Sequence, residues 1–199
     1  MCLQSVVNSF GTNVIAGFTA AARVEGITNI PMSGLGVATQ TFVGQNYGAK
    51  NYQRIHNGVK KILILDLIVS VAMSLILYFS AETVIGLFGS NMNGEIMVAA
   101  KRYILAIAQC YSLVAMLFVM RNTLQGMGFT YANSVAGIGE FFGRIAVAFV
   151  LTPLLGFDAV CYAGPAAWLL ADIPLIIIYL FKQHKFKKLA LMQKEMATE

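Results

Sequence analysis

From Ile62 to Ser80 the chain runs nineteen residues with a single charge, Asp66. A helix rises about 1.5 Å per residue, so about 20 apolar residues match the hydrocarbon core of a bilayer. Three further stretches meet the same length requirement: Tyr103 to Met120, Ala132 to Leu155 and Ala159 to Phe181. Glu140 and Arg144 interrupt the second of these three, and Asp172 the last. No other feature constrains the fold as much. In hydrocarbon a segment must satisfy its own backbone polar groups, and a helix does so within itself. Charged residues make up 12% of the chain, against about 25% in an ordinary soluble domain. So few charges cannot build a water-facing surface, and an all-α integral membrane protein follows.

A fifth segment, Thr12 to Gly44, is rich in small residues but carries Arg23, Glu25, Asn29 and Pro31. It is too polar to face lipid all round and too apolar for a loop. A long, bent helix largely buried against other helices fits both properties. Residues 1–10 read as a helix stub, too short to cross a bilayer. The chain is therefore expected to hold five transmembrane helices plus a stub in residues 1–182, followed by a basic tail at 183–199.

Lysine and arginine give the orientation, because they concentrate in cytoplasmic loops. Lys50, Arg54, Lys60, Lys61 and Arg121, with Lys182, Lys185, Lys187, Lys188 and Lys194 of the tail, fall on one side. Lys101 and Arg102 fall on the other, with Glu82, Glu95 and Asp158. The first side is expected to be cytoplasmic, the C-terminus included, in a bacterial inner membrane. The net charge of +5 is accounted for by these flanking positions, and no nucleic-acid partner is expected. Cys2, Cys110 and Cys161 are widely spaced and read as small buried hydrophobes. His56 and His184 sit among lysines, so no metal site is expected.

The stretch "FVGQNYGAKNYQRIHNGVKK", Phe42 to Lys61, is the elbow between the fifth segment and the first apolar run. A phosphate-binding loop would need Gly-x-x-x-x-Gly-Lys-Ser/Thr between a strand and a helix. Gly44 and Gly48 are four apart and no Lys-Ser/Thr follows. The elbow reads instead as structural. Gly44 and Gly48 ease the backbone at a helix end, flanked by Gln45. Tyr47 and Tyr52 anchor at the headgroups, and Lys50 and Arg54 hold the membrane face.

"GLGVATQTFVGQNYGAKNYQR" resembles the signature joining the second and third helices of a lobe in the multidrug and toxic compound extrusion (MATE) family, in its second-lobe copy. "NSFGTNVIAGFTAAARV" is similar to the passage from helix 7 into helix 8, and "RNTLQGMGFTYAN" to the turn between helices 10 and 11. "GEFFGRIAVAFVLTPLLGFDAVCYAGPAAW" is similar to helix 11 leading into helix 12. The resemblance implies most of the second six-helix lobe of a twelve-helix transporter, with the first lobe and most of helix 7 lacking. It further implies export of organic cations, drugs or other amphipathic compounds by antiport with sodium or protons. No other cofactor is implied. The implied partners are the lipid bilayer, the N-terminal lobe and small amphipathic or cationic substrates. Export of a lipid-like amphiphile and a nonfunctional or regulatory membrane fragment stay open as alternatives. Nothing suggests an enzyme, since no nucleophile–base set or paired catalytic carboxylates occur.

The family's first-lobe acids, and its acids on helices 7 and 10, have no counterpart that can be carried across. The helix-10 segment offers only Gln109 and Ser112. The candidate cavity, ion or substrate residues are therefore the charges within the spans: Glu25, Asp172, Glu140 and Arg144. Glu140 and Arg144 stand one turn apart on one face. They read either as a mutually neutralising pair or as a gate. Glu25 reads as a cavity acid or as a partner for another helix. Asp172 precedes Pro174, whose ring frees a carbonyl one turn back, and reads as part of a polar notch. Asp66 is expected to balance Lys60 and Lys61.

Overall fold

The computed structural model describes residues 2–88 and 94–196, with side chains over 4–88 and 94–184. The side chains of Cys2, Lys185, Lys187, Lys188 and Lys194 lie outside that range. The helices are α1 Cys2–Asn8, α2 Thr12–Thr28, α3 Ile30–Gly48, α4 Tyr52–Gly86, α5 Gly94–Gln109, α6 Tyr111–Gly126, α7 Tyr131–Ala146, α8 Thr152–Leu155, α9 Phe157–Cys161 and α10 Ala163–Met196. A π-helical turn, Val147–Leu151, joins α7 to α8. Residues 183–196 continue α10 without a break.

Among the described residues, three helical runs are long and apolar enough to cross a membrane: α4, Tyr131–Leu155 and Ala163–His184. The bent pair α5–α6 makes a fourth. The expected fifth span is α2 followed by α3, whose small and polar residues keep it out of that class. It is placed by packing instead. α2 lies on α5 and α3 on α6, so the two broken helices run parallel, side by side. α4 packs across both α5 and α6, and α10 packs on α7 and α6. Small residues let these backbones close. A Cβ on Gly126 would come within 2.6 Å of the Gln40 carbonyl, and one on Gly143 within 2.7 Å of Ala167 Cα.

Each irregularity has a local cause. α2 ends at Asn29, and Pro31, in the first turn of α3, starts a new helix where its missing N–H costs nothing. α5 and α6 meet at Cys110 with a bend of 55°. There Ser74 of α4 donates to the Ala108 carbonyl at 2.6 Å, satisfying an acceptor at the break. The hydroxyls of Thr28 and Tyr111 hydrogen-bond to each other, so the two breaks lie at one level and are tied together. The widened turn at Val147–Leu151 precedes Pro153, which cannot donate to the ladder. Thr152 Oγ1 instead donates to the Val147 carbonyl at 3.0 Å. In α10, Pro174 leaves the Leu170 carbonyl without its helical donor. Gly139 of α7 lies over that carbonyl, where a Cβ would sit 2.8 Å away.

The elbow corrects the sequence expectation. Gly44 and Gly48 both lie within α3. The residue that turns the chain is Lys50, with φ 56, and Asn51 caps α4 by accepting from the Arg54 N–H at 3.3 Å. Gly44 serves packing: a Cβ there would meet the Gly126 carbonyl at 3.4 Å. Gln45, Gly48, Lys50 and Arg54 are exposed.

Candidate functional site

Charged side chains of α2, α7 and α6, with Tyr103 of α5, form one linked series. Glu25, on α2, accepts from Tyr103 Oη of α5 at 2.8 Å. Tyr103 is buried, so its hydroxyl needs this partner. Both residues line a cavity of about 340 Å³ with Gln4, Phe18 and Arg144. Arg144 is the cation that acts on Glu25 across it. Arg144 is itself 3.7 Å from Glu140, one helical turn back on α7. Glu140 in turn makes its close ion pair with Arg121 of α6. Asp172 of α10 stands outside these contacts: it makes no ion pair with Arg121 or Arg144 among the described residues.

This series revises the pairing read from spacing. Glu140 and Arg144 do share a face, but at 3.7 Å their contact is loose and the Arg144 side chain is 50% exposed. The tight partner of Glu140 is Arg121, from another helix. A residue on a neighbouring helix can meet the carboxylate head-on, whereas an i, i+4 arginine must fold back along its own helix. In the sequence Arg121 stands beside a turn and Tyr103 at the start of a span. No spacing rule links either to its carboxylate, so sequence reasoning missed both.

Asp172 is 2% exposed, and neither carboxylate oxygen has a hydrogen-bond partner among the described residues. The cost of such an arrangement is high, because a buried charge needs a counter-charge or hydrogen bonds. Asp66 also departs from expectation. It is fully buried and unpartnered on α4, and it makes no ion pair with Lys60 or Lys61 among the described residues. Six residues separate it from Lys60, nearly two turns up the helix, with its side chain turned into the bundle. Gln109 and Ser112 flank the α5–α6 break and are exposed. Arg23 is exposed on α2, away from the series.

Chemically, these helices bring three carboxylates into the bundle (Glu25, Glu140 and the unpartnered Asp172) with two guanidinium groups (Arg121 and Arg144). With all five ionised, the set is one positive charge short. In a low-dielectric interior that deficit favours binding of a proton or another cation.

The MatE family model matches residues 1–150. The chain belongs to the MATE family. It is 25% identical over 187 residues to "Probable multidrug resistance protein YoeA" of Bacillus subtilis (strain 168), covering 92% of this chain and 39% of that relative. It is also 25% identical over 195 residues to "Probable multidrug resistance protein NorM" of Thermotoga maritima, covering 95% of this chain and 40% of that relative. The chain thus spans about two fifths of the length of these relatives. A solved structure described as "Crystal structure of MATE in the bent conformation" superposes with a TM-score of 0.79 at 19% identity, over 87% of this chain and 39% of that one. That likeness concerns the fold. Family membership and the apolar helices together make this an all-α, multi-pass membrane protein.

Proposed function

We propose that the chain forms the second lobe of a secondary active exporter of cationic or amphipathic compounds, coupled to proton or sodium influx. The observation that carries this reading is the excess of acid within the bundle: Glu25, Glu140 and the buried, unpartnered Asp172 against Arg144 and Arg121. A site one positive charge short can be neutralised in turn by a small cation and by a cationic substrate. Competition of that kind is the elementary requirement of antiport. The names of the relatives, which describe multidrug resistance, point the same way. The elbow and the C-terminal end of α10 face the cytoplasm in this reading, and the partner is an N-terminal lobe.

The outward face of α2 and α3 supports a second lobe. Thr19, Arg23, Gly34, Thr41 and Gln45 are exposed along it, interleaved with Ile27, Ile30 and Val37. On α4, beyond its basic first turns, the exposed residues include Leu65, Ile68, Leu75 and Phe79. The second set suits lipid; the first suits a cavity or a protein partner.

The test is dye efflux from vesicles holding this lobe together with its N-terminal counterpart. Asp172→Asn removes the deficit without changing shape. It is expected to keep abundance and to lose efflux by about 100-fold or more, the scale of removing one essential charge interaction. An Asp172→Asn protein that pumps at the wild-type rate would overturn the reading.

A further inference from the structure

The elbow end of the bundle holds a second, unrelated feature. A cavity of about 480 Å³ is lined by Phe42 of α3, Asn51 of the turn, and Gln53, Arg54, Asn57, Gly58 and Lys61 of α4. Positions 54, 57, 58 and 61 follow helical spacing, so they form one face of α4. Along the axis Arg54 and Lys61 are about 10 Å apart. Between them the Phe42 ring lies over Gly58, the one residue on that face that leaves room for it. The cavity therefore has two cations at its rim and an aromatic wall.

Its electrostatics are one-sided. From Phe42 to Leu65 the chain has no acidic residue, and it has Lys50, Arg54, Lys60 and Lys61. Among the described residues none of these four cations is in an ion pair. Orienting the chain in a membrane accounts for positive charge near the elbow. It does not require two of the cations to line a cavity, nor that cavity to run into a lipid-facing stripe. That continuity is what the helix provides. Beyond Lys61 the same face of α4 continues through Leu65 and Ile68 to Leu75, 48%, 61% and 53% exposed.

We propose that this cavity is a binding site for one anionic phospholipid. The phosphate lies between the Arg54 guanidinium and the Lys61 ammonium. The Asn51, Gln53 and Asn57 amides serve the remaining headgroup oxygens. One acyl chain follows Leu65 and Ile68. Basic pockets at the ends of membrane helices suit anionic headgroups for this reason: the phosphate is charged and the chains share the apolar face. The site needs only that α4 crosses a bilayer, and it is independent of the transport reading.

Native mass spectrometry of the detergent-purified full chain tests it, with dioleoyl phosphatidylglycerol and dioleoyl phosphatidylcholine as probes. One phosphatidylglycerol is expected to be retained preferentially. The variant Arg54→Gln with Lys61→Gln should weaken that retention about 30-fold, at about fivefold per basic residue. The charge-matched variant Lys50→Gln with Lys60→Gln should leave it within about threefold, since neither residue lines the cavity. Gly58→Leu keeps every charge but fills the space under Phe42, and it should also lose the lipid. Equal loss in both double variants would mean diffuse attraction and overturn the site. Equal retention of the two lipids would do the same, as would displacement of phosphatidylglycerol by millimolar inorganic phosphate.

Discussion

At the scale of single residues, the question is which contact holds Glu140. Its carboxylate is 23% exposed and shared between Arg121 and Arg144, but the two contacts differ in kind. Arg121 reaches it from α6 and is 26% exposed; Arg144 stands 3.7 Å off and is half exposed. Removing one member of a largely buried pair strands the other, so Glu140→Gln and Arg121→Gln should each cost about 2–4 kcal/mol. Arg144→Gln should cost about 1 kcal/mol or less, as an exposed pair does. The double variant Glu140→Gln with Arg121→Gln should recover much of the loss. Glu140→Gln with Arg144→Gln should not, because Arg121 stays unpaired. Half-aggregation temperatures of the membrane-extracted protein, read by size-exclusion chromatography, distinguish the two. Recovery in the Arg144 double variant alone would show that spacing along α7, and not the contact from α6, sets the pair.

At the scale of helices, the lobe is held by close backbone approach as much as by side chains. Gly143 of α7 meets Ala167 of α10 with no room for a side chain, and Gly139 lies against the Leu170 carbonyl one turn away. Backbone cannot shift as a side-chain tip can, so Gly143→Leu should separate α7 from α10 and cost at least about 1–3 kcal/mol. Gly137→Leu, on the open side of α7 where nothing lies within 4 Å, is the control and should be neutral. A fall of several degrees in half-aggregation temperature for Gly143→Leu, with none for Gly137→Leu, is the expected result. Equal behaviour would mean that the α7–α10 contact contributes little. The same elements show what a sequence can tell. A bend within Thr12 to Gly44, which holds Pro31, is legible in the sequence; its place at Asn29 comes from the structure. The break at Cys110 is not legible, since no Gly or Pro stands there; it is made by Ser74 of α4 and by the Tyr111 hydroxyl reaching Thr28. Span positions followed from length and hydropathy, which are local properties. The Arg121–Glu140 and Tyr103–Glu25 contacts depend on which helices become neighbours, and hydropathy carries no trace of that. At the elbow the glycines drew the reading to the wrong residues: the left-handed conformation fell to Lys50.

At the scale of the whole molecule, orientation and assembly are the open physical questions. The count of lysine and arginine predicts that the elbow is cytoplasmic. With the native cysteines replaced, Asn51→Cys should resist an impermeant thiol reagent in intact cells, and Asp158→Cys, exposed on α9 at the other end of the bundle, should react. Labelling in the reverse order would invert the topology. Assembly follows from the two unlike outer faces. α4 presents large apolar side chains, which lipid solvates at no cost. The outward face of α2 and α3 mixes Thr19, Arg23, Thr41 and Gln45 with Ile27, Ile30 and Val37, and an arginine facing acyl chains costs about 2.5–3.5 kcal/mol on insertion scales. A second lobe, or water held between two lobes, would relieve that cost. Co-expression with an N-terminal MATE lobe should therefore raise the half-aggregation temperature, as a partner that binds only the folded state must. Cysteines placed at Thr19 or Thr41 should cross-link to that lobe, and one placed at Leu75 should not. Arg23→Leu separates this from general crowding. It should stabilise the chain expressed alone, by making the face suitable for lipid, and should reduce the gain on co-expression. If the lone chain melts at the same temperature with and without its counterpart, and Thr41→Cys cross-links no better than Leu75→Cys, then the mixed outward face of α2 and α3 has a role other than joining two lobes.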